Sequence, residues 1–259
     1  MKTIKMGSSG PDTKRLQEYL GLVPDGNFGP TTLEAVKEFQ SKNGLTQDGI
    51  VGMSTWSKLY KPSGSGSISW GDYDFISYLL DCDIAAIKAV QEVETAGRSG
   101  FLSDGRPMIL FEGHIFWKQL KAHGIDPHRY ERGNSDILYP TWTKAHYLGG
   151  AKEYLRLDRA SKIHMTSALE SASWGMFQIM GMNYEQAGCA GVEEFVDQMK
   201  KGQYEQLLLF AKFIVNSPKL KKALGSHDWE SFAKLYNGPG YKSNSYDTKL
   251  LAAYKKFRA

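Results

Sequence analysis

Nine residues, KPSGSGSIS at 61–69, divide the chain more sharply than any other feature of it. After the proline, glycine and serine alternate up to a single Ile68, a composition that behaves as a flexible connector and not as part of a packed layer. The chain must therefore build two cores, one from about 60 residues and one from about 190. Hydrophobic residues are 41% of the 259, enough for both. The expected division is residues 1–60, a Gly/Ser linker at 61–70, and residues 71–259.

The short segment reads as three helices joined by Gly-rich turns. PDTKRLQEYLG places Pro11 and Asp12 ahead of Leu16, Tyr19 and Leu20 at helical spacing. PTTLEAVKEFQSKNG begins at Pro30, carries Leu33, Val36 and Phe39 as an inner stripe, and stops at Gly44. STWSKLY makes a short third helix. Two stretches echo each other, DGNFGPTTLEAV at 25–36 and DGIVGMSTWSKL at 48–59. Asp-Gly forces a tight turn and the second Gly permits a positive φ, so two well-capped helix starts explain most of the echo. The whole arrangement over residues 7–60 nevertheless closely resembles the peptidoglycan-binding domain appended to many cell-wall hydrolases. That resemblance implies a three-helix module holding glycan strands or stem peptides, with Asp25, Phe28, Asp48 and Trp56, near the turns, as candidate contacts.

The longer segment is mostly helical: YDFISYLL, DIAAIKAVQEVETAG, GHIFWKQLKAHG, VEEFVDQMKKGQYEQLLLFAKFIVNS and DWESFAKLY carry the apolar periodicity. ESASWGMFQIMG, rich in Gly, Ser and aromatics, reads as a small strand-and-turn piece. The fold class expected is mainly α, a small three-helix domain beside an α-rich α+β domain with a small β piece.

Within DIAAIKAVQEVETAG two glutamates stand two positions apart. At about 100° per residue, with Ile87 at zero, Ile84 falls near +60°, Val90 near −60° and Val93 near −120°. On that wheel Glu94 falls at about −20°, inside the apolar stripe, and Glu92 near +140°, opposite it and one turn from Lys88. Glu92 is thus a solvated charge able to pair with Lys88. Glu94 is an acid on the inward face near the helix end at Gly97, where burial disfavours its charged form. Such a carboxyl is either a structural acid, ion-paired or capping nearby backbone, or a general acid kept protonated near neutral pH.

The blocks AVQEVETAGRSGFLSDGRPMILFEGHIFWKQL, SALESASWGMFQIMGMNY and FAKLYNGPGY resemble the phage-type N-acetylmuramidase endolysins of the lysozyme-like superfamily. Three spots are similar to the wider goose-type lysozyme and lytic transglycosylase pattern: Glu94-Thr95 at a helix end, Gly175 to Gln178 as a Gly-x-x-Gln strand, and Tyr236-Asn237 late in the chain. The resemblance implies that Glu94 is the catalytic acid and that Gln178, Tyr236 and Asn237 line the sugar groove. Glu112 is the first candidate for a second carboxylate, against a structural role as partner of His114 or an arginine; Asp104 is the next, against ordinary turn chemistry. Trp174, Phe177, Tyr236 and Tyr241 are candidates to stack on sugar faces, or core aromatics.

Other chemistries lack their signatures. No H-E-x-x-H is present and Cys82 and Cys189 lie apart from paired histidines, so neither a zinc site, a cofactor site nor a Cys-His peptidase is expected. The net charge of +4 is too small and scattered for nucleic acid, and suits an anionic envelope. No stretch approaches the roughly 18–20 apolar residues of a membrane span, and MKTIKMGSSG has no signal-peptide core. The expectation is a monomeric modular endolysin, held in the host cytoplasm until a separate membrane-permeabilising protein releases it to the wall. It would cleave the β-1,4 bond between N-acetylmuramic acid and N-acetylglucosamine in the thin peptidoglycan of a Gram-negative host. The alternatives are a lytic transglycosylase and a non-catalytic wall-binding protein.

Overall fold

The computed structural model describes residues 3–60, 67–95 and 97–258. Residues 61–66, most of the linker, lie outside them. By contact the chain forms two compact units, Met1–Gly64 with Ser69–Leu79, and Ser65–Ile68 with Leu80–Ala259.

The small unit contains α1 (Pro11–Tyr19), α2 (Pro30–Lys42) and α3 (Met53–Leu59). Leu16, Phe28, Val36, Val51, Trp56 and Leu59 form its core. The inner face of α2 is Thr32, Val36 and Gln40, so two polar side chains occupy positions the apolar pattern assigned to Leu33 and Phe39. The reason is a hydrogen-bonded hub built twice. Gln17 Nε2 donates to Asp25 Oδ1 at 2.7 Å, Asn27 O at 3.1 Å and Thr32 Oγ1 at 3.1 Å, while its Oε1 accepts from Gly26 N at 2.8 Å. Gln40 repeats this with Asp48 Oδ1 at 3.0 Å, Ile50 O at 3.0 Å, Thr55 Oγ1 at 3.2 Å and Gly49 N at 2.9 Å. Each hub clamps an Asp-Gly turn to the helix after it, satisfying backbone groups that a core this small cannot leave unpaired.

The helix over YDFISYLL, expected with the large domain, is α4 (Trp70–Leu80), and nearly all of it groups with the small unit. Asp72, fully buried, accepts from Tyr60 Oη at 2.9 Å and from Ser69 N and Oγ at 2.6 Å. The Tyr60 ring stacks on Phe75 at 4.2 Å. A serine cap answered by an acid three residues on starts this helix.

The large unit runs α5 (Ile84–Thr95), β1 (Ile109–Phe111), α6 (Gly113–Ala122), α7 (Lys152–Ile163), α8 (Met165–Glu170), β2 (Ala172–Trp174), β3 (Ile179–Met180), α9 (Val192–Lys201), α10 (Gln203–Val215), α11 (Pro218–Gly225), α12 (Trp229–Asn237) and α13 (Tyr246–Arg258). The strands form an antiparallel sheet in the order β1-β2-β3, with Ile109 opposite Trp174, Phe111 opposite Ala172, and Trp174 opposite Ile179. The stretch read as one long helix at 192–217 breaks at Gly202, whose extended backbone separates α9 from α10. Helix α10 buries Gln206, Leu207, Leu209, Phe210, Ala211, Phe213 and Ile214, an almost all-round apolar surface at the centre of the unit.

A buried ion pair fastens the irregular segment 131–151 to the sheet. Glu153 and Arg156, both essentially inaccessible, meet at 2.8 Å. Glu153 also accepts from Leu148 N at 2.6 Å, Gly149 N at 2.9 Å and Phe111 N at 3.2 Å. Arg156 donates to Phe111 O at 2.7 Å and Asp136 O at 2.8 Å. Two charges out of water are tolerated there because every lone pair and most N–H groups have partners.

Candidate active site

Helix α5 delivers the central acid. Its start is fixed by Asp83, which accepts from Ala86 N at 2.7 Å and from Tyr254 Oη of α13 at 2.8 Å. Ala86, Ile87, Ala89 and Val90 face inward, and α13 packs along the helix. Gly97, at φ 80°, ends it one turn after Glu94, and Thr95, buried, donates back to Gln91 O at 2.7 Å. Glu92 points outward, 31% exposed, and pairs with Lys256 of α13 at 2.7 Å, a tertiary partner in place of the expected Lys88.

Glu94 is half-buried and its Oε1 accepts from Asn237 Nδ2 at 2.8 Å. Burial pushes its carboxyl up to about 7, against the opposing pull of the Asn237 amide. Its charge is felt by the neighbouring hydroxyls of Tyr236 and Tyr246. Asn237 Oδ1 is buried with no hydrogen-bond partner. Tyr236 stacks on Phe232, one turn earlier on α12, and gives its hydroxyl proton to Phe177 O at 2.7 Å. The Tyr236-Asn237 pair therefore ties Glu94 to the hairpin between β2 and β3.

That hairpin depends on its residue types. Gln178 has a left-handed backbone at φ 48°, and its amide bridges Ser173 Oγ and Gly175 O, both at 2.8 Å. A non-glycine residue held there stores strain of order 1 kcal/mol or more, a cost concentrated at functional turns. Gly175, at φ 70°, and Gly100, at φ 82°, both abut Gln206, where an added Cβ would come within 2.7 Å and 2.6 Å of its amide. Gln206, fully buried, accepts from Met176 N at 2.7 Å and donates to Met199 O at 2.9 Å. The sequence reading missed it because a glutamine in an apolar helix carries no motif.

Asn237 thus reaches Glu94, and Tyr236 reaches the carbonyl of Phe177, the neighbour of Gln178. Trp174 is 1% exposed with its indole N–H on Leu169 O and borders an open cleft of about 350 Å³ with Tyr154, Met165 and Val196, while Phe177, fully buried, stacks on Phe210 at 4.1 Å. Tyr241 is 6% exposed and donates to Glu230 at 3.0 Å. All three, candidates to meet sugar, are buried. Asp104 makes a turn ion pair with Arg106 at 2.6 Å. Phe28 and Trp56 are buried in the small unit's core, while Asp25 and Asp48 hold the two turns. Glu112 lies at the far end of β1: Gly175 N meets Met108 O, and Glu112 N meets Ser171 O. Four residues of strand separate those ends by about 13 Å. Both Glu112 oxygens accept from the Tyr147 hydroxyl, at 2.8 and 2.7 Å, and His114 Nδ1 lies 3.3 Å away.

Among the described residues no group of three His, Cys, Asp or Glu side chains converges, and Cys82 and Cys189 are free thiols raised by burial.

A helix-borne acid lifted toward neutrality beside a Gly-x-x-Gln hairpin, in a chain that also carries a compact wall-binding module, defines a lysozyme-type glycoside hydrolase. Residues 83–258 match the N-acetylmuramidase family, and residues 9–59 match the peptidoglycan binding domain. The chain belongs to the N-acetylmuramidase family. It is similar over its full length, and over all of the other chain, to the crystal structure of Burkholderia AP3 phage endolysin, with 40% identity and a TM-score of 0.67. An uncharacterized protein in the bpoA1 3′ region of Kitasatospora aureofaciens is 44% identical over 71 residues, 25% of this chain and 60% of that one. The zinc D-Ala-D-Ala carboxypeptidase of Streptomyces albus G is 42% identical over 67 residues, 23% of this chain and 26% of that one. No helix among the described residues is long and apolar enough to cross a membrane.

Proposed function

We propose that the chain hydrolyses the β-1,4 bond between N-acetylmuramic acid and N-acetylglucosamine, with Glu94 as general acid. The observation that carries this is the Glu94 carboxyl, pushed up to about 7 by burial and held by Asn237 at 2.8 Å. Near neutral pH it is substantially protonated, so it can give a proton to the glycosidic oxygen as an oxocarbenium-like centre develops. The resulting carboxylate is then stabilised by the Asn237 amide. Water then attacks, assisted by Glu112 or by a polar backbone site.

The small unit holds the enzyme on peptidoglycan. An open cleft of about 340 Å³, bordered by Leu45, Ile50, Met53 and Ser54 beside the second Asp-Gly turn, is the surface offered for that contact. The likeness to a phage endolysin supports action on a host cell wall; release by a separate membrane-permeabilising protein is part of the same proposal.

Purified Glu94→Gln should fold and bind walls without releasing reducing ends, while Glu92→Gln stays active. Mass spectrometry of the digest should find muramic acid at the reducing ends. Products ending in 1,6-anhydromuramic acid would show attack by the C6 hydroxyl and overturn hydrolysis.

A further inference from the structure

Helices α7, α8 and α9 leave between them an open cleft of about 350 Å³, within the range of small-ligand sites. Its floor is apolar: Leu157 of α7, Leu169 of α8, Val196 of α9 and the Trp174 ring of β2. Two of its walls are fixed. Tyr154 gives its hydroxyl proton to Pro107 O at 2.9 Å, and the Arg106 guanidinium lies over its ring at 4.1 Å. The Trp174 indole N–H is taken by Leu169 O at 3.1 Å, so that ring offers the cleft only carbon surface. The rim carries both signs of charge, with Lys162, Lys200 and Asp158 all exposed. Lys162 has no ion pair among the described residues. Lys200 pairs with Asp197 at 3.0 Å on the surface, a contact that water and ligand readily replace. The cleft also touches the hairpin of the candidate active site. Trp174 pairs with Ile179 across that hairpin, and Ser173, the residue before it, donates to Gln178 at 2.8 Å. Side chains alternate along a strand, so Trp174 and Ser173 face opposite sides of the sheet.

We propose that this cleft is a subsite for the stem peptide of peptidoglycan, the short chain of alanines, an acidic residue and a diamino acid that muramic acid carries. The alanine methyls meet the apolar floor, the acidic residue meets Lys162 and Lys200, and the ammonium of the diamino acid meets Asp158. An anionic lipid would suit the same floor and the same lysines, but the Asp158 charge would repel its headgroup. The distances allow the peptide to arrive. Four extended residues span about 13–14 Å, more than the roughly 10 Å of one sheet layer. A muramic acid held on the Gln178 side of the hairpin can therefore send its stem to the Trp174 side. The proposal rests on the peptidoglycan reading of Glu94 and adds a preference for glycan that still bears its peptides.

The test uses the full chain and two substrates of equal length, soluble glycan strands bearing their stem peptides and the same strands stripped of them. The readout is the ratio of KM for peptide-bearing to peptide-free strands. In the double variant Lys162→Glu with Lys200→Glu that ratio should rise about fivefold or more, the size expected for losing two exposed charge pairs. The double variant Lys162→Arg with Lys200→Arg should keep the wild-type ratio. Asp158→Asn should raise it only while the side-chain amine of the diamino acid is free, and acetylating that amine should abolish the effect. In Glu94→Gln, isolated stem peptide should shift the indole N–H resonance of Trp174. If wild type cleaves both substrates and the charge-reversed variant leaves the ratio unmoved, the subsite is refuted and the Glu94 reading stands. If vesicles of anionic phospholipid shift the Trp174 resonance and stem peptide does not, the cleft takes lipid and the proposal is wrong. If wild type cleaves neither strand, both readings fall.

Discussion

Replacing Asn237 by leucine removes the amide that donates to Glu94 Oε1 at 2.8 Å while keeping the side-chain volume. That amide favours the anion, opposing the burial that raises the carboxyl to about 7. A hydrogen bond to a charged group contributes about 1.5–3 kcal/mol. At 1.36 kcal/mol per unit, its loss moves Glu94 up by about 1–2 units. Glu94 works protonated, so activity is present below its pKa and lost as pH rises through it. The alkaline limb of kcat/KM, which reports the free enzyme's acid, should therefore move from about 7 to about 8–9 in Asn237→Leu. The plateau should also drop by about 10- to 100-fold, because the carboxylate formed on proton transfer loses the same stabilisation. The assay is reducing-end release from purified peptidoglycan over the neutral and alkaline range. A limb that stays put or shifts downward refutes the assignment of Glu94 as the acid held by Asn237.

Glu94→Gln should also change stability with pH. The folded carboxyl titrates near 7 against an ordinary 4.5, so its ionisation opposes folding increasingly across that window; the variant should gain up to about 3 kcal/mol over wild type above it and little below it, read from denaturant midpoints on either side. Gln40→Leu strips partners from Gly49 N and Ile50 O and should cost the small unit about 2–4 kcal/mol, seen as a lowered calorimetric transition with catalytic-unit unfolding unchanged. Gly100→Ala puts a Cβ 2.8 Å from Met176 Cα, a backbone atom, at φ 82°. It should destabilise the large unit by about 1–3 kcal/mol and lower kcat by disturbing the hairpin, measured by thermal melting and turnover together.

Much of the fold was legible because it rests on local rules. The repeated Asp-Gly turns, Pro30 and Gly44 mark the small unit's helices, and the helical phase of α5 alone separates Glu92 from Glu94. Had the echo been extended eight residues upstream of each Asp-Gly, Gln17 and Gln40 would have emerged as its repeated hubs. The aromatics were not legible. Trp174, Phe177 and Tyr241 are chemically suited to sugar, and their burial was set only by the packing of distant segments.

What the sequence alone determined was which residues share a helix face and which turns need glycine, since neighbours within a few positions are fixed by backbone geometry. Tertiary structure decided the partners. Asn237 reaches Glu94 from 143 residues away, Lys256 reaches Glu92 from 164, and Gln206 supports two glycines on separate turns. Tertiary structure also gave Glu112 to Tyr147 and α4 to the small unit. A carboxyl's chemistry follows from what desolvates it and what donates to it, and those groups are assembled only when distant segments pack.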